Sequence, residues 1–192
     1  MFELLLARIA GDLTLTNEQL ALVKSLFIQR SFEKGRFFQR AGEVTSWGGF
    51  VVRGCFRTYI ISEKGQESIV QFTAEGGWIG DIESARTGTP TLYFVDAIET
   101  ADVLLIDLPS FEKLLAAFPE ISRKYRIGLQ RGAAARERRI ALSLHSSAEQ
   151  RYVDFVDTHP ALAARIPQHM LASYLGMTPE TLSRVRTKLK DH

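Results

Sequence analysis

The sequence predicts an α+β chain in three parts: an N-terminal antiparallel barrel or jelly roll, a long helix, and a C-terminal all-α helix-turn-helix. Three observations carry this. Between Arg30 and Asp107, short runs rich in Phe, Val, Ile, Thr and Gly are broken by turn residues. From Pro109 the apolar spacing becomes helical, with one long pattern from Pro119 to about Ser146. Between Ile166 and Lys190, two short helical patterns are separated by Gly176. The expected divisions are 1–118, 119–147 and 148–192.

The opening region, to about Gln29, reads as helical. Leu20, Val23, Leu26 and Phe27 share one helix face, and Thr16 with Gln19 forms a capping box. Strands are expected at Arg36–Gln39, Gly48–Val52, Phe56–Ile61, Ser68–Phe72, Phe94–Ala97 and Asp102–Asp107. Glu63-Lys64-Gly65-Gln66 is a hairpin turn, because Gly65 can take positive φ. Ser110 to Phe118 is a short helix. The long helix places Ile121, Tyr125, Leu129, Gly132 or Ala133, Ile140 and Leu144 in an imperfect heptad around Gly132-Ala133-Ala134-Ala135. Such a stripe suits a parallel homodimer seam, or packing against the chain's own barrel. Ser146-Ser147 reads as a hinge, and Ala148–Val156 as a further helix ended by Thr158-His159-Pro160.

Composition narrows the function. At 45% hydrophobic and 24% charged, the chain has the make-up of a soluble folded protein. It has no run of about 18 apolar residues, so no transmembrane helix is expected. Met1 to Arg8 lacks the features of a signal peptide, and a cytoplasmic location is expected. Cys55 is the only cysteine, which rules out an internal disulfide or a four-cysteine cluster within one chain; it is expected as a small buried apolar residue. The four histidines, His145, His159, His169 and His192, all follow the barrel region. A cupin-like metal site and a haem ligand from the barrel are thereby excluded. Asp81 and Glu83 could face one way on a strand, but no nucleophile or metal set accompanies them. The chain is expected to be neither an enzyme nor a metal protein. Charge is uneven: residues 1–122 carry a net −5 and residues 123–192 a net +7. That fits a phosphate-binding module beside another module, or a solvated basic helix face.

The stretch Ile166 to Lys190 decides between them. Pro167 suits the first position of a helix, where its missing N–H is harmless. Gly176 stops that helix by taking the left-handed conformation. Thr178 is an N-cap and Pro179 the first residue of the next helix. Ala172 is small enough for the second helix to cross closely. Leu171, Leu175, Leu182, Val185 and Leu189 form the shared core. Glu180, Ser183, Arg184 and Thr187 face outward. This is a helix-turn-helix whose second helix offers an Arg, a hydroxyl and a carboxylate from its N-terminal half. Arg184 can bind guanine O6 and N7 together, and Glu180 can accept from cytosine N4. Arg186, Lys188 and Lys190 suit phosphates, and Thr178, Thr181 and Thr187 are further candidate DNA-binding residues. The alternative is an effector- or protein-binding module that no longer binds DNA.

On these residues the chain resembles the Crp/Fnr regulators. Glu180-Thr181-Leu182-Ser183-Arg184 matches the family's Glu-Thr-(Val/Ile)-(Ser/Gly)-Arg, and Leu171, Ala172, Leu175, Gly176 and Thr178 match the preceding Leu-Ala-x-x-Leu-Gly-x-Thr. The order barrel, long helix, hinge, helix-turn-helix fits over nearly the whole chain. The resemblance implies a β-roll sensor domain, a homodimer joined along the long helix, and a palindromic operator with half-sites one helical turn apart. It also implies a TTGAT-like half-site read by Glu180, Ser183 and Arg184, and RNA polymerase as a further partner. The Crp branch places another arginine before the Glu, where this chain has Pro179.

The same resemblance locates an effector pocket at Gly80, Asp81, Ile82, Glu83, Thr91, Leu92 and Arg136. The family's phosphate cassette reads Gly-Glu-x-x and then Arg-(Ser/Thr)-Ala. Here Asp81 replaces the Glu, Thr91 falls at the Arg, and Leu92 follows it. Arg86 is the one arginine nearby, and the base-contacting hydroxyls of the long helix are replaced around Arg136-Glu137. A buried phosphate without a cation is unfavourable. Binding of cAMP or cGMP is therefore not expected, and the effector is left open.

Overall fold

A computed structural model describes residues 1–11 and 13–190, without the Lys190 side chain. The chain divides into two compact units. The first comprises Met1–Ile60 and Gln71–Leu129, the second Ile61–Val70 and Gln130–His192.

The first unit opens with helices α1 (Phe2–Ile9) and α2 (Asn17–Ser25). The capping box at α2 is present: the Gln19 N–H donates to the Thr16 hydroxyl, and the Thr16 N–H donates to the Gln19 side chain. Strands β1 (Ile28–Phe32), β2 (Phe37–Gln39), β3 (Trp47–Arg53), β4 (Phe56–Ile61), β5 (Glu67–Thr73) and β6 (Trp78–Ile79) follow. Then come helix α3 (Ile82–Thr87), strands β7 (Phe94–Ala97) and β8 (Ala101–Asp107), and helix α4 (Leu108–Ala117). The strands form two four-stranded sheets, ordered β1-β8-β3-β6 and β2-β7-β4-β5.

Alternation along β8 explains the layering. Val103 and Leu105 point into a core with Phe32, Val51, Phe56, Ile79 and Val95, drawn from both sheets. Leu104 and Ile106 point the other way, against Leu5, Val23, Phe111, Leu114 and Ile121 from the helices. With both faces covered, the middle of β8 is apolar at every position, Val103-Leu104-Leu105-Ile106, while the aspartates on either side of it, Asp102 and Asp107, are half-buried. Cys55 is fully buried. The β4–β5 turn closes with Gly65 at φ 77°, as the sequence predicts.

Several elements differ from expectation. Ile28 and Gln29 begin β1 rather than end a helix, because Ile28 pairs with Leu105 and Gln29 with Leu104 of β8. Strand β6 and helix α3 were not foreseen; α3 is short and capped by Asp81, whose carboxylate accepts from the Glu83 and Ser84 N–H groups.

The long helix α5 (Pro119–His145) begins in the first unit and continues into the second. Its start serves the chain's own core: Ile121 is buried, and Tyr125 packs edge-on against Phe111 at 5.0 Å. Beyond these, Leu129, Ile140 and Leu144 are exposed, at 50%, 57% and 73%, so the outer stripe of the heptad is not used within the chain. Among the described residues no helix is long and apolar enough to cross a membrane.

Candidate nucleic-acid interface

The second unit holds the end of α5 and helices α6 (Ala148–Thr158), α7 (Pro160–Ala163), α8 (Gln168–Tyr174) and α9 (Pro179–Lys190). Helix α7 was not foreseen. Pro167 is the N-cap of α8, one position before the predicted one, and its carbonyl accepts from the Met170 and Leu171 N–H groups. Gly176 has φ 66° and its N–H donates to the Ser173 carbonyl, which completes the turn. The Thr178 hydroxyl accepts from the Thr181 N–H at 3.2 Å, as an N-cap does.

This local chemistry sorts the side chains. Ala172 is fully buried, and Leu171 and Leu182 are 1% exposed, with Leu175 also buried. Val185 and Leu189 are half-buried. Glu180, Ser183, Arg184, Thr187 and Lys188 are exposed, and Thr181 and Arg186 are half-buried. Arg184 and Glu180 lie one helical turn apart, and the Arg184 guanidinium donates to the Thr181 hydroxyl at 3.4 Å. The Glu180 backbone N–H, then the Thr178 hydroxyl, and to a lesser degree Arg184, hold the Glu180 carboxyl below the usual carboxylate range. It is therefore ionised at neutral pH and accepts hydrogen bonds only. Thr187 donates back to the Ser183 carbonyl at 3.2 Å. Lys188 reaches Glu149 of α6 at 2.6 Å, an exposed pair that a phosphate can displace at small cost. The Lys190 side chain lies outside the described residues.

The pocket residues divide differently. Asp81 and Thr91 come together in the first unit; Ile82, Glu83 and Leu92 are exposed, Leu92 at 75%. Gly80 adopts φ 110° in close approach to the Trp47 carbonyl. Arg136 is exposed on α5 and belongs to the second unit.

Around Asp81 the structure builds a closed polar network that the sequence did not reveal. The Thr91 hydroxyl donates to Asp81 Oδ2 at 2.7 Å and accepts from Gln39 Nε2 at 3.0 Å. Gln39 Nε2 also donates to the Tyr93 carbonyl, and Gln39 Oε1 accepts from the Thr45 hydroxyl and the Asp81 N–H. Ser84 donates to the Thr89 carbonyl and accepts from the Thr45 N–H. Gln39, Thr45, Ser84 and Thr91 are all buried. Among the described residues no buried side-chain nitrogen or oxygen lacks a partner. One hint existed: Gln39 is the polar end of a Phe-Phe-Gln strand, and buried polar side chains in strands need partners.

The cassette position is held by a carboxylate whose two oxygens already accept bonds, and Arg86 points outward at 63% exposure, 3.8 Å from Glu83.

Comparisons with known proteins agree with the fold. Residues 29–118 match the cyclic nucleotide-binding domain family. The chain is 26% identical over 183 residues to the Lacticaseibacillus casei protein named "Probable transcriptional regulator flp", across 92% of this chain and 83% of that protein. It is 24% identical over 199 residues to the transcriptional activator protein anr of Pseudomonas aeruginosa, across 97% of this chain and 81% of that one. Among solved structures, FixK2 from Bradyrhizobium japonicum superposes with a TM-score of 0.74 at 21% identity, covering 86% of this chain and 85% of that one.

Proposed function

We propose that this chain, a transcriptional regulator of the Crp/Fnr type, binds a palindromic operator as a homodimer and does so without a cyclic nucleotide. One observation carries the reading: α8 and α9 pack together with Leu171, Ala172 and Leu182 buried, and α9 leaves Glu180, Ser183 and Arg184 exposed on its N-terminal half. Those three side chains read base edges, as the resemblance assigns them. Thr178, Thr181, Arg186, Thr187 and Lys188 hold phosphates, with affinity that falls as salt rises. Residues 1–118 act as the sensor, 119–147 as the dimer helix and 148–192 as the reading head. The exposed Leu129, Ile140 and Leu144 supply the dimer contact, since an apolar stripe on a helix is buried by a partner copy.

The sensor takes no cofactor or metal in this reading. The internal network of Gln39, Thr45, Asp81, Ser84 and Thr91 supports that, because every group a nucleotide phosphate would need is already engaged. The protein catalyses no reaction, works in the cytoplasm, and has double-stranded DNA and RNA polymerase as its partners.

Fluorescence anisotropy on a duplex carrying inverted TTGAT half-sites tests the reading. Saturable binding is expected, at least about a thousandfold tighter than on a shuffled duplex at physiological salt. Arg184→Ala should lose about 1–3 kcal/mol and relax preference at one base position. Equal weakening of Arg184→Ala on all duplexes would place Arg184 on the phosphates and contradict the assignment.

A further inference from the structure

The joint between the long helix and the reading head carries a feature with no counterpart in the sequence motifs. Helix α5 stops at His145, and α6 starts two residues later with Ser147 as its N-cap, in a full capping box with Gln150. Ser146-Ser147 reads from sequence as a hinge. In the structure one guanidinium spans it. Arg151 Nη1 donates to the Ser146 carbonyl at 2.6 Å, and Arg151 Nε donates to the Leu175 carbonyl at 2.9 Å.

Both acceptors are helix C-termini. Ser146 follows the last residue of α5, and Leu175 is the C-cap of α8, immediately before the Gly176 turn. The last carbonyls of a helix lack intrahelical donors and carry partial negative charge. A planar cation with several fixed N–H groups can satisfy two such ends at once, which an ammonium cannot do in the same geometry. Two more arginines on the last turns of α5 reinforce the joint. Arg138 pairs with Asp154 of α6. The Arg139 guanidinium lies 4.5 Å over the Tyr174 ring of α8, and Tyr174 packs edge-on against Phe155 of α6 at 5.5 Å.

We infer that Arg151 is a positioning residue that fixes the reading head to the dimer helix, and through it sets which half-site spacing the dimer accepts. The inference rests on the proposed dimeric DNA binding. Arg151 itself touches no base in this role. If the two heads are held rigidly on a shared helix pair, an extra base pair between half-sites displaces the second by about 3.4 Å along and about 35° around the duplex, beyond the second head's reach. If the joint is loose, each head adjusts and spacing matters less, while the base contacts of α9 are unchanged.

The test uses the full chain and the best-bound palindromic duplex selected by the wild type from a randomised pool. Affinity is compared on that duplex, on versions with one base pair inserted or deleted at the centre, and on one with a single half-site mismatch. The wild type should discriminate against altered spacing. Arg151→Gln should lose roughly tenfold or more of that discrimination, out of the 10²–10⁴ that joint engagement can add, and keep the mismatch penalty. Arg151→Lys retains the charge and guards against misfolding of the Gln variant; it too should lose spacing discrimination, because it cannot bridge both carbonyls. A purely structural role would lower thermal stability and leave the spacing ratio of the folded fraction unchanged, which would overturn the inference. Wild-type binding indifferent to spacing would instead overturn the dimeric reading, and this role with it.

Discussion

Replacing Asp81 by alanine removes two kinds of support from the sensor at once. The Glu83 and Ser84 N–H groups lose their cap, a change that costs about 1 kcal/mol. The buried Thr91 hydroxyl loses its acceptor, which costs about 1–3 kcal/mol more. Together these amount to about 3 kcal/mol, and for a chain of this size that lowers the unfolding midpoint by roughly 6–12 °C. Tryptophan fluorescence is a selective probe, because Trp47 and Trp78 both lie in the first unit. Asp81→Asn separates the two effects. Asparagine caps a helix as well as aspartate does, but its amide can present a donor to a hydroxyl that already accepts from Gln39 and Tyr93. It should therefore lose only the Thr91 share. A shift below about 2 °C for Asp81→Ala would mean that the network contributes less than 1 kcal/mol, and would refute the idea that it fills the cassette's place. Cyclic AMP supplies the companion experiment: a ligand at a hundred times its Kd would add about 2.7 kcal/mol of stability. No shift is expected with the wild type at millimolar cAMP.

Two further outcomes test other parts of the molecule. Ile140→Asp places a charge on the exposed stripe of α5 and should convert the dimer to monomer in sedimentation at micromolar concentration, with thermal stability of the barrel unchanged; a persisting dimer would move the contact elsewhere. Burial raises the Tyr174 phenol above its ordinary value, opposed more weakly by Arg139. A raised folded value means stability is whole below the unfolded pKa, about 10, and is lost as pH rises through the folded one. Alkaline unfolding of the second unit should therefore be blunted in Tyr174→Phe, and an unchanged alkaline limb would contradict it.

What was legible in the sequence follows from how local its cause is. Strands Phe56–Ile61 and Phe94–Ala97 have the bounds expected from their β-branched and aromatic runs. The helix-turn-helix was legible because its signals, Gly176, Thr178 and Ala172, act within a few residues of themselves. Strand β1 was not, since Leu26-Phe27-Ile28 continues a helical spacing and only pairing with distant β8 overrides it. The Asp81 network was half legible. The loss of the cassette's Glu and Arg shows in the sequence, but the replacement draws Gln39, Thr45, Ser84 and Thr91 from four separate segments. Arg151 left no mark at all: its partners are backbone carbonyls, which any residue carries.

Selection of bound duplexes from a fully randomised pool, followed by sequencing, bears most directly on what the chain does. The expected result is an inverted repeat with TTGAT-like half-sites centred about 10 base pairs apart, with preference relaxed at one position of each half-site when Arg184 is replaced. Enrichment of no sequence, or of a motif unaffected by changes at Glu180, Ser183 and Arg184, would contradict the assignment of α9 as the surface that reads DNA.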